Sequence, residues 1–269
     1  MNPLDHSFAT LKQRGGTAFM PFVTVGDPNP ECTVDILLTL QEAGASMIEL
    51  GIPYSDPLAD GPVIQRSSQR ALKNSVTLTS ALECAQLAKQ QGLTIPLLLF
   101  TYYNPLLQLG LHTAFERMSV AGIDGIIIPD LPYEENERVR ALSETFGIHL
   151  IPMVALTSKD RVPKIVERAA GFIYCVSSFG VTGMRSQLHT ELEAFVRYVK
   201  EVSGLPAVVG FGISTSEQYR EVSRYADGVV VGSAIVHAIE QQRELWLDPD
   251  SRAEAAHSLR SFTEHLISK

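Results

Sequence analysis

Short runs of apolar residues alternate with longer stretches of helical periodicity from one end of the chain to the other. The apolar runs fall at 18–25, 46–50, 96–101, 124–129, 148–154, 172–176, 206–211 and 228–232. Most are continuous rather than alternating, the pattern of parallel strands covered on both faces. Between them stand helix starts. Asn29 precedes Pro30, with Val34, Leu37 and Leu38 at helical spacing behind it. The stretches Thr157–Asp160 and Ser214–Glu217 have the spacing of capping boxes. Residues 134–146 place Val139, Leu142 and Phe146 on one face. Eight strand-then-helix units predict a single (β/α)8 barrel domain over residues 1–269, with extra helices at about 3–14 and 250–267. An open doubly wound sheet is the rival, but its phosphate fingerprint is missing after the first strand, where Thr24-Val25-Gly26-Asp27-Pro28 stands instead.

Composition narrows the partners. The chain has 269 residues, 45% of them hydrophobic, and its 22 Lys+Arg against 30 Asp+Glu leave a net charge of −8. That sign disfavours nucleic acid and anionic membranes. No apolar run approaches a membrane span and the first residues do not read as a signal peptide, so a soluble cytoplasmic protein is expected. Cys32, Cys84 and Cys175 are far apart and form no CxxC pair, so neither a disulfide framework nor a zinc knuckle is implied.

In a barrel the chemistry sits at the C-terminal ends of the strands. None of the seven lysines falls in a predicted strand, which disfavours an imine mechanism. The seven histidines show no metal-ligand spacing, and the one in a strand, His149, is at its wrong end; no metal site is expected. Glu49 closes the second apolar run. A carboxylate there is either a rim salt bridge or a group kept for chemistry, because burying it is costly. The loop after it, residues 51–62, holds three prolines and two aspartates; the prolines stiffen it and could present Asp60 in a fixed position, while Asp56 also suits a plain turn. Two carboxylates at one pocket can divide acid and base roles. Residues 177–187 read either as a mobile lid or as an ordinary surface loop. Gly210, Gly212, Gly232 and Ser233 end the last two strands, and suit either tight turns or a phosphate site built from backbone amides. Phe22, Phe100, Tyr102, Tyr174 and Phe211 each fit a core, or together an aromatic pocket.

The stretch Glu49–Pro62, ELGIPYSDPLADGP, resembles the signature of the tryptophan synthase α-subunit family. The resemblance runs through Pro21-Phe22, Gly26-Asp27-Pro28, Tyr102, Asn104-Pro105, Pro129–Pro132, Gly180–Gly183, Gly210–Ser214 and Gly232–Val236. It implies a lyase that cleaves indole-3-glycerol phosphate to indole and glyceraldehyde 3-phosphate in tryptophan biosynthesis. By the same resemblance Glu49 moves protons at indole C3 and the side-chain hydroxyl, and Asp60 holds the indole N–H. Phe22, Phe100, Tyr102, Ile127, Tyr174 and Phe211 enclose the indole. Gly183, Gly212, Gly232 and Ser233 bind phosphate, and Gly180 and Thr182 belong to a lid over Asp60. The implied assembly is an α2β2 heterotetramer in which indole passes to a β subunit. Pro53, Asp56, Asn104 and Asp130 face that partner, and pyridoxal phosphate belongs to it alone. Ser178 departs from the arginine that some members carry before the lid glycine. The compartment implied is cytoplasm, or plastid stroma in a photosynthetic eukaryote. The alternatives are another phosphate-binding barrel enzyme and a non-catalytic subunit that activates a partner.

Overall fold

A computed structural model of the chain describes residues 1–177, 185–210 and 212–268, with nothing taken from the side chains of 185–189. Nine parallel strands are found among these residues: β1 Ala18–Thr24, β2 Ile48–Gly51, β3 Leu97–Phe100, β4 Gly125–Ile127, β5 His149–Leu150, β6 Met153–Ala155, β7 Ile173–Val176, β8 Ala207–Gly210 and β9 Gly228–Val231. Their order is β5-β4-β3-β2-β1-β9-β8-β7-β6, all neighbours parallel. The two ends of that order are one run of chain, interrupted at Ile151-Pro152. Ile151 N–H donates to Ile126 O (2.9 Å) on one side, and Tyr174 N–H donates to Pro152 O (3.0 Å) on the other. The circle therefore closes through this run, and the fold is a (β/α)8 barrel. The predicted fifth strand, 148–154, is split because Pro152 has no N–H to give to a ladder.

Alternation along each strand sorts the core into two shells. Phe19, Val23, Ile48, Leu50, Leu97, Leu99, Ile173, Cys175, Val229 and Val231 pack under the helices. Met20, Phe22, Leu98, Phe100, Ile127, Tyr174, Val208 and Val230 fill the lumen. Helix Pro3–Gln13 closes the N-terminal mouth, with Leu4 and Phe8 in the lumen cluster and Phe8 tilted on Phe172 at 5.5 Å. Asn2 caps this helix and also donates to Asp124 O and Gly147 O (2.9 Å each), which ties it to the barrel floor. The opposite mouth is left for the loops that follow the strands.

Helix starts follow the sequence signals, with one shift and one capping box replaced. Asn29 caps helix Pro30–Glu42 by accepting from Cys32 N–H at 2.8 Å. The capping box expected at Ser214–Glu217 forms one residue later, between Thr215 and Gln218. The box expected at Thr157–Asp160 does not form. Residues Leu156–Arg161 make a 3-10 turn in which Ser158 Oγ bonds both N–H and O of Ala155 (2.9 and 2.8 Å). Ser158 is nearer to the strand end than Asp160, so it captures those groups first. The C-terminal helix is Arg252–Ile267, packed on helix Pro30–Glu42.

Candidate active site

Glu49 lies in β2 beside Phe22 of β1 and Leu98 of β3 in the strand register. Ile48 and Leu50 face the helices, so the alternation sends Glu49 into the lumen. It is 1% exposed, and its Oε1 has no hydrogen-bond partner among the described residues. Burial alone pushes its carboxyl up to about 8. A carboxyl held neutral in an apolar lumen is a group able to donate a proton.

Asp60 reaches the same space from the loop beyond β2. Tyr102, just past β3, donates from Oη to Asp60 Oδ2 (3.1 Å) and accepts from Ala59 N–H (2.9 Å). Tyr54 stacks on Tyr102 at 4.9 Å between centroids. Burial raises the Asp60 carboxyl to about 6, and the Tyr102 hydroxyl holds it from rising further. At neutral pH, then, Asp60 is largely ionised and Glu49 largely protonated. Tyr174 of β7 lies within the electrostatic reach of both. Its phenol is buried and held well above its ordinary range by burial first, then by the fields of Glu49 and Asp60. Both groups, when ionised, act on that one hydroxyl.

The walls are apolar. Phe22 meets Phe100 edge to face at 5.7 Å, and Ile127 and Tyr174 are buried in the same cluster. Two glycines make the room. A Cβ on Gly51 would stand 2.2 Å from Phe22 Cζ, and one on Gly210 would stand 2.1 Å from Tyr174 Oη. At the rim Gly232, half-buried, begins helix Ser233–Gln241 with no side-chain cap, and Ser233 is exposed. Gly212 has φ +77°, a conformation open to glycine.

Of the residues named from the sequence, Glu49, Asp60, Phe22, Phe100, Tyr102, Ile127 and Tyr174 come together at this mouth, with Gly232 and Ser233 at its edge. Tyr102 acts there through Asp60 rather than as bare wall. Phe211, Gly180, Thr182 and Gly183 lie outside the described residues, as does Ser178. Asp56 and Asn104 are exposed, Asp130 is exposed and accepts from Tyr103 N–H (2.9 Å), and Pro53 is buried. Sequence reasoning gave no role to Tyr54, Gly51 or Thr24. Thr24 is buried on the lumen side of β1, its Oγ1 without a partner among the described residues. The strand parity of Thr24 and Gly51 was a usable signal; the stacking of Tyr54 was not. No group of His, Cys, Asp or Glu suited to a metal ion is found among the described residues.

Similarity to known proteins agrees with this geometry. The sequence model of the family "Tryptophan synthase alpha chain" matches residues 8–265. The chain belongs to the tryptophan synthase alpha chain family. The tryptophan synthase alpha chain of Geobacillus sp. (strain WCH70) is 51% identical over 248 residues, covering 92% of this chain and 94% of that protein. That of Shouchella clausii is 50% identical over 252 residues, 94% of each. The crystal structure of tryptophan synthase subunit alpha from Legionella pneumophila superposes with a TM-score of 0.86 at 35% identity, covering 98% of this chain and 99% of that one. A structure of Mycobacterium tuberculosis tryptophan synthase gives 0.85 at 33%, covering 98% and 96%. The activity is that of the tryptophan synthase alpha chain: carbon–carbon cleavage of indole-3-glycerol phosphate to indole and glyceraldehyde 3-phosphate. The family's alpha chain needs no cofactor of its own.

Proposed function

We propose that Glu49 and Asp60 divide this cleavage between them. Glu49 starts protonated and gives its proton to indole C3. The positive charge that arises is spread to the indole nitrogen, where ionised Asp60 accepts the N–H and balances it. The Glu49 carboxylate then takes the proton of the side-chain hydroxyl. The carbon–carbon bond breaks, its electron pair re-forms the neutral indole, and the hydroxyl carbon becomes the aldehyde. Glu49 ends protonated, as it began. The ring itself accepts the electrons, so neither a lysine imine nor a metal is called for. Phe22, Phe100, Ile127, Tyr174 and Phe211 enclose the indole. Backbone amides at Gly183, Gly212, Gly232 and Ser233 receive the phosphate, the last two at the open start of helix Ser233–Gln241. Gly180 and Thr182 belong to a lid that closes over Asp60.

One observation carries the reading: a fully buried Glu49 carboxyl with Oε1 unpartnered among the described residues and a half-buried Asp60 held by Tyr102 open on the same apolar mouth, and burial raises Glu49 further than Asp60. The test is indole release from indole-3-glycerol phosphate by wild type, Glu49→Gln and Asp60→Asn. Each variant should lose cleavage about 10²–10⁴-fold, and near-normal turnover in either removes that residue from the mechanism.

The same reading makes this single barrel a subunit of a cytoplasmic α2β2 heterotetramer whose β subunit carries the pyridoxal phosphate. The face offered to the partner is the rim of the active-site mouth, where Asp56, Asn104 and Asp130 are exposed and Pro53, buried in the free chain, belongs to the same loop as Asp56. Leu58 supports it, because this large apolar side chain is 93% exposed at the tip of the proline-rich loop. Indole release from that mouth would then be release toward the partner.

A further inference from the structure

An ionic cluster outside the pocket joins the turn after β1 to the two helices that begin at its rim. Asp27, just beyond β1, is 3% exposed. Arg70, on helix Pro62–Lys73, grips it with Nε on Oδ1 (2.7 Å) and Nη2 on Oδ2 (2.8 Å). Ser67 Oγ adds a third donor to Asp27 Oδ2 at 2.6 Å. The remaining face of the same guanidinium, Nη1, donates to Glu240 Oε1 at 2.6 Å. Glu240 is in the last turn of helix Ser233–Gln241, where Arg66 also reaches it (3.2 and 3.3 Å) and His237 stands at 3.4 Å. Nothing in the chemistry just described uses these residues.

Their placement is informative. Helix Pro62–Lys73 starts two residues after Asp60, and its Gln65 Nε2 donates back to Asp60 O at 2.9 Å. Helix Ser233–Gln241 starts at Gly232 and Ser233, and it packs against the first helix. A rigid helix transmits a shift at one end to the other, about 10 Å away here. The bidentate guanidinium fixes direction as well as distance. We propose that Arg70 and Glu240 are a positioning pair, holding the amide-rich start of helix Ser233–Gln241 at a set distance from Asp60 so that the phosphate and the indole ring are seated together. Asp27 anchors the pair, since a buried carboxylate bound by Arg70 and Ser67 holds the arginine in place. This inference rests on the phosphate-site reading above.

The test separates the two. Competitive inhibition of cleavage is measured with glycerol 3-phosphate, glycerol and indole, for wild type, Glu240→Met, Glu240→Gln and Arg66→Gln. Arg70 stays paired to Asp27 in every variant, so the barrel should fold, as circular dichroism and thermal unfolding will show. Glu240→Met removes the acceptor at similar length and should weaken glycerol 3-phosphate about tenfold, with indole within about twofold. Glu240→Gln keeps one acceptor for Arg70 and should recover most of the loss. Arg66→Gln, which leaves the Arg70–Glu240 bond, should resemble wild type. The proposal is overturned if Glu240→Met leaves glycerol 3-phosphate unchanged, weakens indole equally, or is matched by Arg66→Gln. If wild type itself binds glycerol as well as glycerol 3-phosphate, the phosphate-site reading fails, and the proposal falls with it.

Discussion

Replacing Glu49 by glutamine should make the protein more stable while disabling it, and the gain should depend on pH. In the fold the carboxyl ionises near 8; in an unfolded chain a glutamate ionises near 4.3. Between those values the native state keeps a proton that the unfolded state has released. Stability therefore falls as pH rises, by up to about 1.4 kcal/mol per unit, and levels off once the native carboxyl ionises too. The whole effect is on the order of a few kcal/mol, a large share of a domain's stability. The Glu49→Gln variant carries no such slope. Its buried amide adds an offset of its own, but that offset does not vary with pH. The assay is urea unfolding of both proteins from pH 4 to pH 9, comparing how the difference in unfolding free energy grows. It should be nearly constant below about pH 4.3, the unfolded value, and should rise in favour of the variant up to about pH 8. Parallel curves would mean that Glu49 is not held protonated by burial, and the proton-donor role would lose its basis.

Tyr102→Phe removes the donor that favours the ionised form of Asp60. The rising limb of the kcat/KM profile, near pH 6 in wild type, should move to higher pH, so the variant loses more activity at pH 6 than at pH 8. An unmoved limb would detach it from Asp60. Gly210→Ala puts a methyl group 2.1 Å from Tyr174 Oη and should cost about 1–3 kcal/mol in thermal or urea unfolding. It should also slow cleavage; wild-type behaviour in both would refute the packing described. Leu58→Asp should leave cleavage by the isolated chain within about twofold, because Leu58 is 93% exposed, while weakening stimulation by a β subunit in a titration of indole release. Undiminished stimulation would place the contact elsewhere.

Much of the barrel was legible along the chain because both of its periods are local. Apolar runs such as 18–25 and 206–211 marked strands buried on two faces, and Asn29-Pro30 marked a helix start, since a cap is settled within a few residues. Glu49 was conspicuous for the same reason, a carboxylate inside an apolar run. Its proton was not legible. That depends on Phe22, Leu98 and Tyr174, which come from other strands and exclude water around it. Nor could the sequence tell that Tyr102 bonds Asp60 across 42 positions, or that Gly51 and Gly210 are small to make way for Phe22 and Tyr174. The bond of Arg70 to both Asp27 and Glu240 spans 43 and 170 positions and had no local mark at all. Short-range order needs only the propensities and periodicity of neighbouring residues, which the sequence carries by itself. Electrostatic environment and mutual fit arise when distant segments share one enclosed space, so only the closed barrel decides them.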